Sequence, residues 1–448
     1  MDKRSIDTVT LDRHPSDYKD VEKAPRSSDV DETYSDKVAS STTSDTSTIP
    51  DGGIRAWSVV LGAFLTQFCT SGYICSFGVF QDYYTRVYLT AYSASAISWI
   101  GSIDTFLILA MGLIGGRLYD RGYVMSLLYG GAFLIALSLF ILSLAKPNQY
   151  AVVLVCQGVG VGLGGGMMYV PSFAIISQYF NKKRATVLPF VATGVSLGAT
   201  LTPIMMNDLL QKRNLSFATA TRINAGFMTA LLITACVSIK PRLPSPKRHA
   251  RLITCFTKFA KDKAFVILTT GFTFFGLGLF FPIFFLQLAA TTHGLDRDFA
   301  FNSLVILNGC SCVGRLLSAF LAHKTRVDFM AIGSAIVCGA IIFAFIGIGS
   351  AVSVVLVGVI YGFSFGILVA TMAPLINMLT DSPIELGLRL GIAYAWTGVG
   401  ELVGPPIMGA LLSGYHWWQP TIFSGLCLLA AAACFAVVSI ITRGRQAT

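Results

Sequence analysis

From Trp57 onward the chain runs in long apolar blocks separated by short polar joints such as "YDRGY", "NKKR" and "HKTRVD". A soluble domain switches between apolar faces and polar loops every few residues, whereas blocks of about 20 apolar residues match the hydrocarbon core of a bilayer. The pattern predicts twelve membrane helices, at 57–80, 95–117, 123–145, 150–178, 186–209, 223–239, 264–290, 300–322, 329–349, 352–378, 388–413 and 420–441. The one long internal joint, 241–263, includes most of the basic run "KPRLPSPKRHARL" and divides the helices six and six.

The first fifty residues mix both charges with Ser and Thr and have little to bury, so a disordered cytosolic tail is expected over 1–50. They contain no apolar h-region, which leaves the first span as the uncleaved insertion signal. The expected organisation is then a six-helix bundle over 51–240, the cytosolic loop 241–263, a second bundle over 264–442 and a cytosolic tail over 443–448. The fold class that follows is an all-α membrane protein of twelve transmembrane helices in two six-helix pseudo-repeats.

Composition agrees, with 54% hydrophobic and only 12% charged residues. Lys and Arg gather in alternate joints (Arg117, Arg121, Lys182 to Arg184, Lys240 to Lys263, Lys324, Arg326, Arg389), which puts those joints and both termini in the cytosol. The net charge of +10 is thus charge beside helix ends facing anionic lipid, and no nucleic-acid partner is expected. The sequon Asn214-Leu215-Ser216 falls in an outward joint and is a candidate glycosylation site. Nine of the ten cysteines lie within spans as small apolar side chains, and neither a metal nor a redox motif is expected.

"GVGLGG" at Gly160 to Gly165 fits the GxGxxG pattern of a dinucleotide turn but lies inside the fourth span with no strand before it. Gly158, Gly162 and Gly166 instead recur every four residues, the spacing that lets two membrane helices approach closely. Such a face serves a rocking contact or a static one. A longer repeat is present too: Pro171 and Pro374 stand 203 residues apart, as do Pro203 and Pro406, Leu118 and Leu321, and Arg121 and Lys324. "TGVSLGATLTPIM" from Thr193 returns as "TGVGELVGPPIM" from Thr397. Parallel repeats joined by a long loop are the architecture of transporters that rock two halves about a central site. The prolines within the spans suit bending, while Pro189 is expected to mark a helix end.

Ionisable side chains in spans are costly and mark candidate sites. Arg315 lies nine residues before Lys324, about 13 Å from the cytosolic surface at 1.5 Å per residue. Its planar fork suits a carboxylate. Glu401 is a candidate for substrate contact and for proton coupling, and Asp104 for proton coupling; a static pairing of Glu401 with Arg315 is the alternative. Among neutral groups Gln67, Gln157, Asn308 and Asn377 are candidates to line the path. The five histidines fall in the tail, joints or span ends, so no catalytic triad is expected, and the chain reads as no enzyme and as needing no cofactor.

"GRLYDRG" at Gly116 to Gly122 resembles the loop signature of the major facilitator superfamily, one residue short. The resemblance implies that Asp120 and Arg121 form a gating latch, with Lys324 in the degraded second copy beside Ala319 and His323. Within that superfamily "DGGIRAW" before span one, "SFGVFQDYY" after it, "YFNKKRATVLPFVATG", "NGCSCVGR" and "GPPIMGAL" are similar to the fungal branch of the monocarboxylate porter family. That family's span-eight arginine contacts substrate carboxylate, and Arg315 matches it. Ser311 and Cys75 stand where proton-linked animal members carry Asp and Lys.

The expected function is secondary active transport of a small organic solute, a monocarboxylate or other organic acid, by alternating access in the plasma membrane, with protons as a possible co-substrate. Efflux of a fungal secondary metabolite is the alternative within that class. A non-transporting membrane sensor signalling through the tail is the alternative outside it.

Overall fold

The computed structural model describes residues 51–242, 259–321, 324–380, 383–412, 414 and 416–447. The expected tail over 1–50, most of the loop over 241–263 and the last residue lie outside the described residues.

Twelve long helices account for nearly all of the described chain: α1 Ile54–Tyr88, α2 Ala94–Asp120, α3 Val124–Leu142, α4 Tyr150–Gln178, α5 Arg184–Asn207, α6 Phe217–Ser238, α7 Lys263–Thr292, α8 Arg297–Leu321, α9 Val327–Gly347, α10 Ala351–Met378, α11 Pro383–Leu411 and α12 Trp418–Ala447. Eleven of them are long and apolar enough to cross a membrane. The other, α11, is 29 residues long and carries Arg389 and Glu401, which lower its hydropathy. Within each set of six, short turns join successive helices, which run antiparallel; the face from which α1 starts is called near, the opposite face far.

Several helices begin or end beyond their apolar blocks, because capping and packing, not hydropathy, set the boundaries. Ser93, Ser216 and Ser350 each accept a backbone N–H of the first turn and start α2, α6 and α10. "SFGVFQDYY", expected to follow the first span, is instead helical and belongs to α1, which runs to Tyr88 through two π-helical turns, Phe68–Gly72 and Tyr84–Tyr88. Pro189 lies inside α5 and does not mark its end. Arg389, expected in a joint, is buried in α11, where Nη1 donates to Asp262 Oδ2 at 3.0 Å and the guanidinium lies over Phe259 and Phe265. At the root of α1, Asp51 Oδ1 accepts the Asn181 N–H at 2.7 Å, and these backbone hydrogen bonds hold the carboxyl below its ordinary pKa.

The neighbour pairs of the first six helices recur six helices later. α2 with α4 returns as α8 with α10, α1 with α5 as α7 with α11, α3 with α4 as α9 with α10, and α3 with α6 as α9 with α12. Lipid is as apolar as the side chains, so these pairs hold by close packing between small residues. A Cβ on Gly162 would lie 2.9 Å from the Asp104 carbonyl and one on Gly166 2.7 Å from that of Leu107, so the glycine face of α4 is a contact with α2. In the matching pair α8 and α10, a Cβ on Gly362 would lie 2.1 Å from the Leu307 carbonyl.

Between the two sets of six, α2 packs on α11, α5 on α8 and α1 on α7. On the near side a Cβ on Gly391 of α11 would lie 2.8 Å from Leu113 Cδ1 of α2, and further close contacts lie toward the far face. Phe77 meets Phe284 with ring centroids 5.0 Å apart, and Ser95 Oγ donates to the Pro406 carbonyl at 2.8 Å. The near part of α1 and the near part of α4 pack chiefly within their own set. α1 and α7 are the most enclosed helices, and α3 and α9 the least, with Phe133 and Ile336 among their exposed apolar side chains.

Candidate functional site

One face of α8 carries Asn308, Ser311 and Arg315 at three- and four-residue spacing, all buried. Asn308 Nδ2 donates to the Ala199 carbonyl at 3.1 Å and Arg315 Nη1 to that of Ala192 at 3.2 Å, so this face joins α8 to α5 across the two sets. The Arg315 guanidinium also lies 5.8 Å from the Phe365 ring centroid on α10. Its Nε has no partner.

Glu401 comes from α11, beside the glycine notch that Gly276 leaves in α7. It makes no ion pair with Arg315, and its Oε2 is buried and unpartnered. The static pairing is therefore not the arrangement present. Both charges act instead on the same two side chains of the first set, Cys75 on α1 and Tyr169 on α4. Tyr394 of α11 interacts in turn with Tyr169. Polar side chains of four helices from both sets, α1, α4, α8 and α11, thus interact in a cluster around one permanent cation and one carboxyl that do not neutralise each other.

The other candidates separate. Asp104 is buried in α2 with Oδ1 unpartnered, and acts on Tyr73, not on the central cluster. Tyr73, Gln157 and Tyr84 form a buried chain beside it: Tyr84 Oη donates to Gln157 Oε1 at 2.6 Å and Gln157 Nε2 to Tyr73 Oη at 3.2 Å. Gln67 Nε2 donates to Ser172 Oγ at 2.9 Å and ties α1 to α4. Asn377 is exposed in the last turn of α10 and does not join the cluster. Arg121 and Lys324 are exposed and make no ion pair among the described residues; the side chain of Asp120 lies outside them. Asn214 is exposed at φ 49°, and the sequon's Ser216 caps α6.

Sequence reasoning missed a second polar junction near the far face. Asp82 on α1 is 1% exposed, is held by Arg86 through Nε at 2.6 Å and through Nη2, and accepts Gln287 Nε2 of α7 at 3.0 Å. The signal was available as Asp82 and Arg86 at i and i+4, but treating that stretch as a joint hid it. Tyr169, Tyr394 and Phe365 were missed because aromatic residues in an apolar span carry no mark of facing inward.

Residues 59–383 match the Major Facilitator Superfamily family model. The chain belongs to that superfamily. An aspyridones efflux protein of Emericella nidulans is 36% identical over 85% of this chain and 77% of its own length. A fujikurins efflux protein of Gibberella fujikuroi is 33% identical over 86% and 82% respectively. Among solved structures, that of a D-xylose-proton symporter superposes with a TM-score of 0.64 at 17% identity, covering 86% of this chain and 97% of that one, a likeness of fold. This major facilitator protein is a multi-pass membrane transporter of a small-molecule solute.

Proposed function

We propose that this transporter exports a small acidic organic metabolite across the plasma membrane by alternating access, with Arg315 holding the anionic group. The observation that carries this reading is the central cluster, where a buried guanidinium keeps a hydrogen-bonding edge free at the meeting of both sets of helices. The efflux named for two relatives supports the direction. The resemblance of its sequence motifs to the fungal branch of the monocarboxylate porter family supports an acidic solute. Glu401 and Asp104, carboxyls buried without an ion pair, are the groups to exchange protons with the solute cycle.

With both termini in the cytosol the near face is cytosolic, and a sealed far face leaves the cluster to be loaded from inside. Asp120, Arg121 and Lys324 would then latch the near face in the opposite state. The test compares metabolites inside and outside cells with and without the gene. A compound that accumulates inside and disappears from the medium on deletion supports export, while a nutrient left in the medium by the deletion strain reverses the direction.

The far-face bond between Gln287 and Asp82 must break when that face opens. Gln287→Leu removes it while Arg86 still neutralises Asp82, so the fold survives and the sealed state loses roughly 1 kcal/mol, about a fivefold shift toward the far-open state. Faster hydrogen exchange at the far ends of α1 and α7 is the expected readout; unchanged exchange would count against a gating role.

A further inference from the structure

Among the buried polar atoms without partners are Arg315 Nε and Glu401 Oε2, on side chains each 5% exposed, and Ser311 Oγ on the same face of α8 as Arg315. An ion pair between Arg315 and Glu401 would satisfy both, and both charges reach the same Cys75 and Tyr169, yet no such pair forms. The geometry keeps them apart from each side. Arg315 turns Nη1 to the Ala192 carbonyl of α5, and Glu401 is seated against α7, its Cγ 3.3 Å from where a Cβ of Gly276 would stand.

The same protein shows what the free edge of Arg315 can hold. Arg86 takes both oxygens of Asp82 through Nε and Nη2, the bidentate fork that matches a carboxylate or another planar anion. An acid on that edge would leave Glu401 still unmatched. Position 75 supplies a cysteine and no second cation, and among the described residues Glu401 Oε2 has no partner.

Resting on the proposed anion site at Arg315, we infer that the solute carries two hydrogen-bonding groups: an acidic group for the Nε edge of Arg315, and a separate hydroxyl or N–H group for Glu401. A simple monocarboxylate fills only half of this site. Phe365 beneath the guanidinium, with Tyr169 and Tyr394 beside the cluster, suits a planar conjugated ring joining the two groups. A site built to hydrogen-bond a substrate group rejects the analogue lacking it far more strongly than an apolar site rejects a missing methyl.

The test uses the purified full chain in lipid nanodiscs and calorimetric binding of four acids, benzoate and the three hydroxybenzoate isomers. At least one isomer is expected to bind about tenfold tighter than benzoate. Glu401→Gln, which keeps a hydrogen-bonding group, retains the preference, and Glu401→Leu brings the isomers to within about twofold of benzoate. Equal binding of benzoate and every isomer to the unaltered protein overturns the inference, as does a preference that survives Glu401→Leu. The underlying anion reading fails separately, if Arg315→Gln leaves benzoate affinity unchanged. Binding of none of the four acids counts against both.

Discussion

Arg315→Gln is expected to reduce solute transport by about 100-fold, because a charge-assisted bidentate contact contributes on the order of 3 kcal/mol to holding an anion in a water-poor site. Glutamine retains a donor able to reach toward the Ala192 carbonyl, so the link between α8 and α5 weakens without leaving a buried charge behind. Folding should therefore be little affected, and equal amounts of monodisperse protein should be recovered. Arg315→Lys separates charge from shape. It keeps the cation but loses the Nε and Nη2 edge, and it is expected to transport at an intermediate rate. Counterflow of the cargo in proteoliposomes measures all three. Full transport by Arg315→Gln would sink the role given to this residue, and equality of Arg315→Lys with the unaltered protein would show that charge alone matters.

The architecture was legible in the sequence because a bilayer imposes a length on every helix and permits few ionisable residues within it. Arg315 and Glu401 stood out for that reason, and the structure brings their charges to the same two side chains. The sequence left open whether they pair, since helical spacing fixes the face of each side chain but not the height at which two helices meet. Asn377 was misleading in the same way: a polar residue in an apolar run lies at the last, exposed turn of α10. Asp82 was hidden by a boundary error. The tyrosine-rich end of α1 is polar enough to resemble a joint, yet it winds on as helix because Tyr84 and Tyr88 hydrogen-bond to Gln157 and the Ala145 carbonyl. Arg389 misled in the opposite sense, as a basic residue counted toward a surface joint that an ion pair and two phenyl rings hold in the interior.

Gly78→Val is expected to stop transport while leaving the two sets of six helices folded. A Cβ on Gly78 would lie 2.3 Å from the Ile283 carbonyl of α7, and a backbone oxygen within a helix cannot swing aside. This contact joins α1 to α7 near the far face, alongside Phe77 with Phe284 and Asp82 with Gln287. The clash therefore penalises only the state in which that face is sealed. Gly362→Val is the control, since its Cβ would meet the Leu307 carbonyl at 2.1 Å, a clash as severe but between α8 and α10 of the same set. If the sets move as bodies, the α8 and α10 contact persists in every state, and Gly362→Val should lower the yield of folded protein and its Tm. Gly78→Val should leave both near normal, raise hydrogen exchange over the far ends of α1 and α7, and cut transport more than about tenfold, since overpacking of this kind costs on the order of 1–3 kcal/mol. Transport and exchange both unchanged in Gly78→Val would mean that the sealed far face takes no part in the cycle. Loss of folded protein in both variants to the same extent would mean instead that α1 and α7 form a fixed contact, and that the moving boundary lies elsewhere.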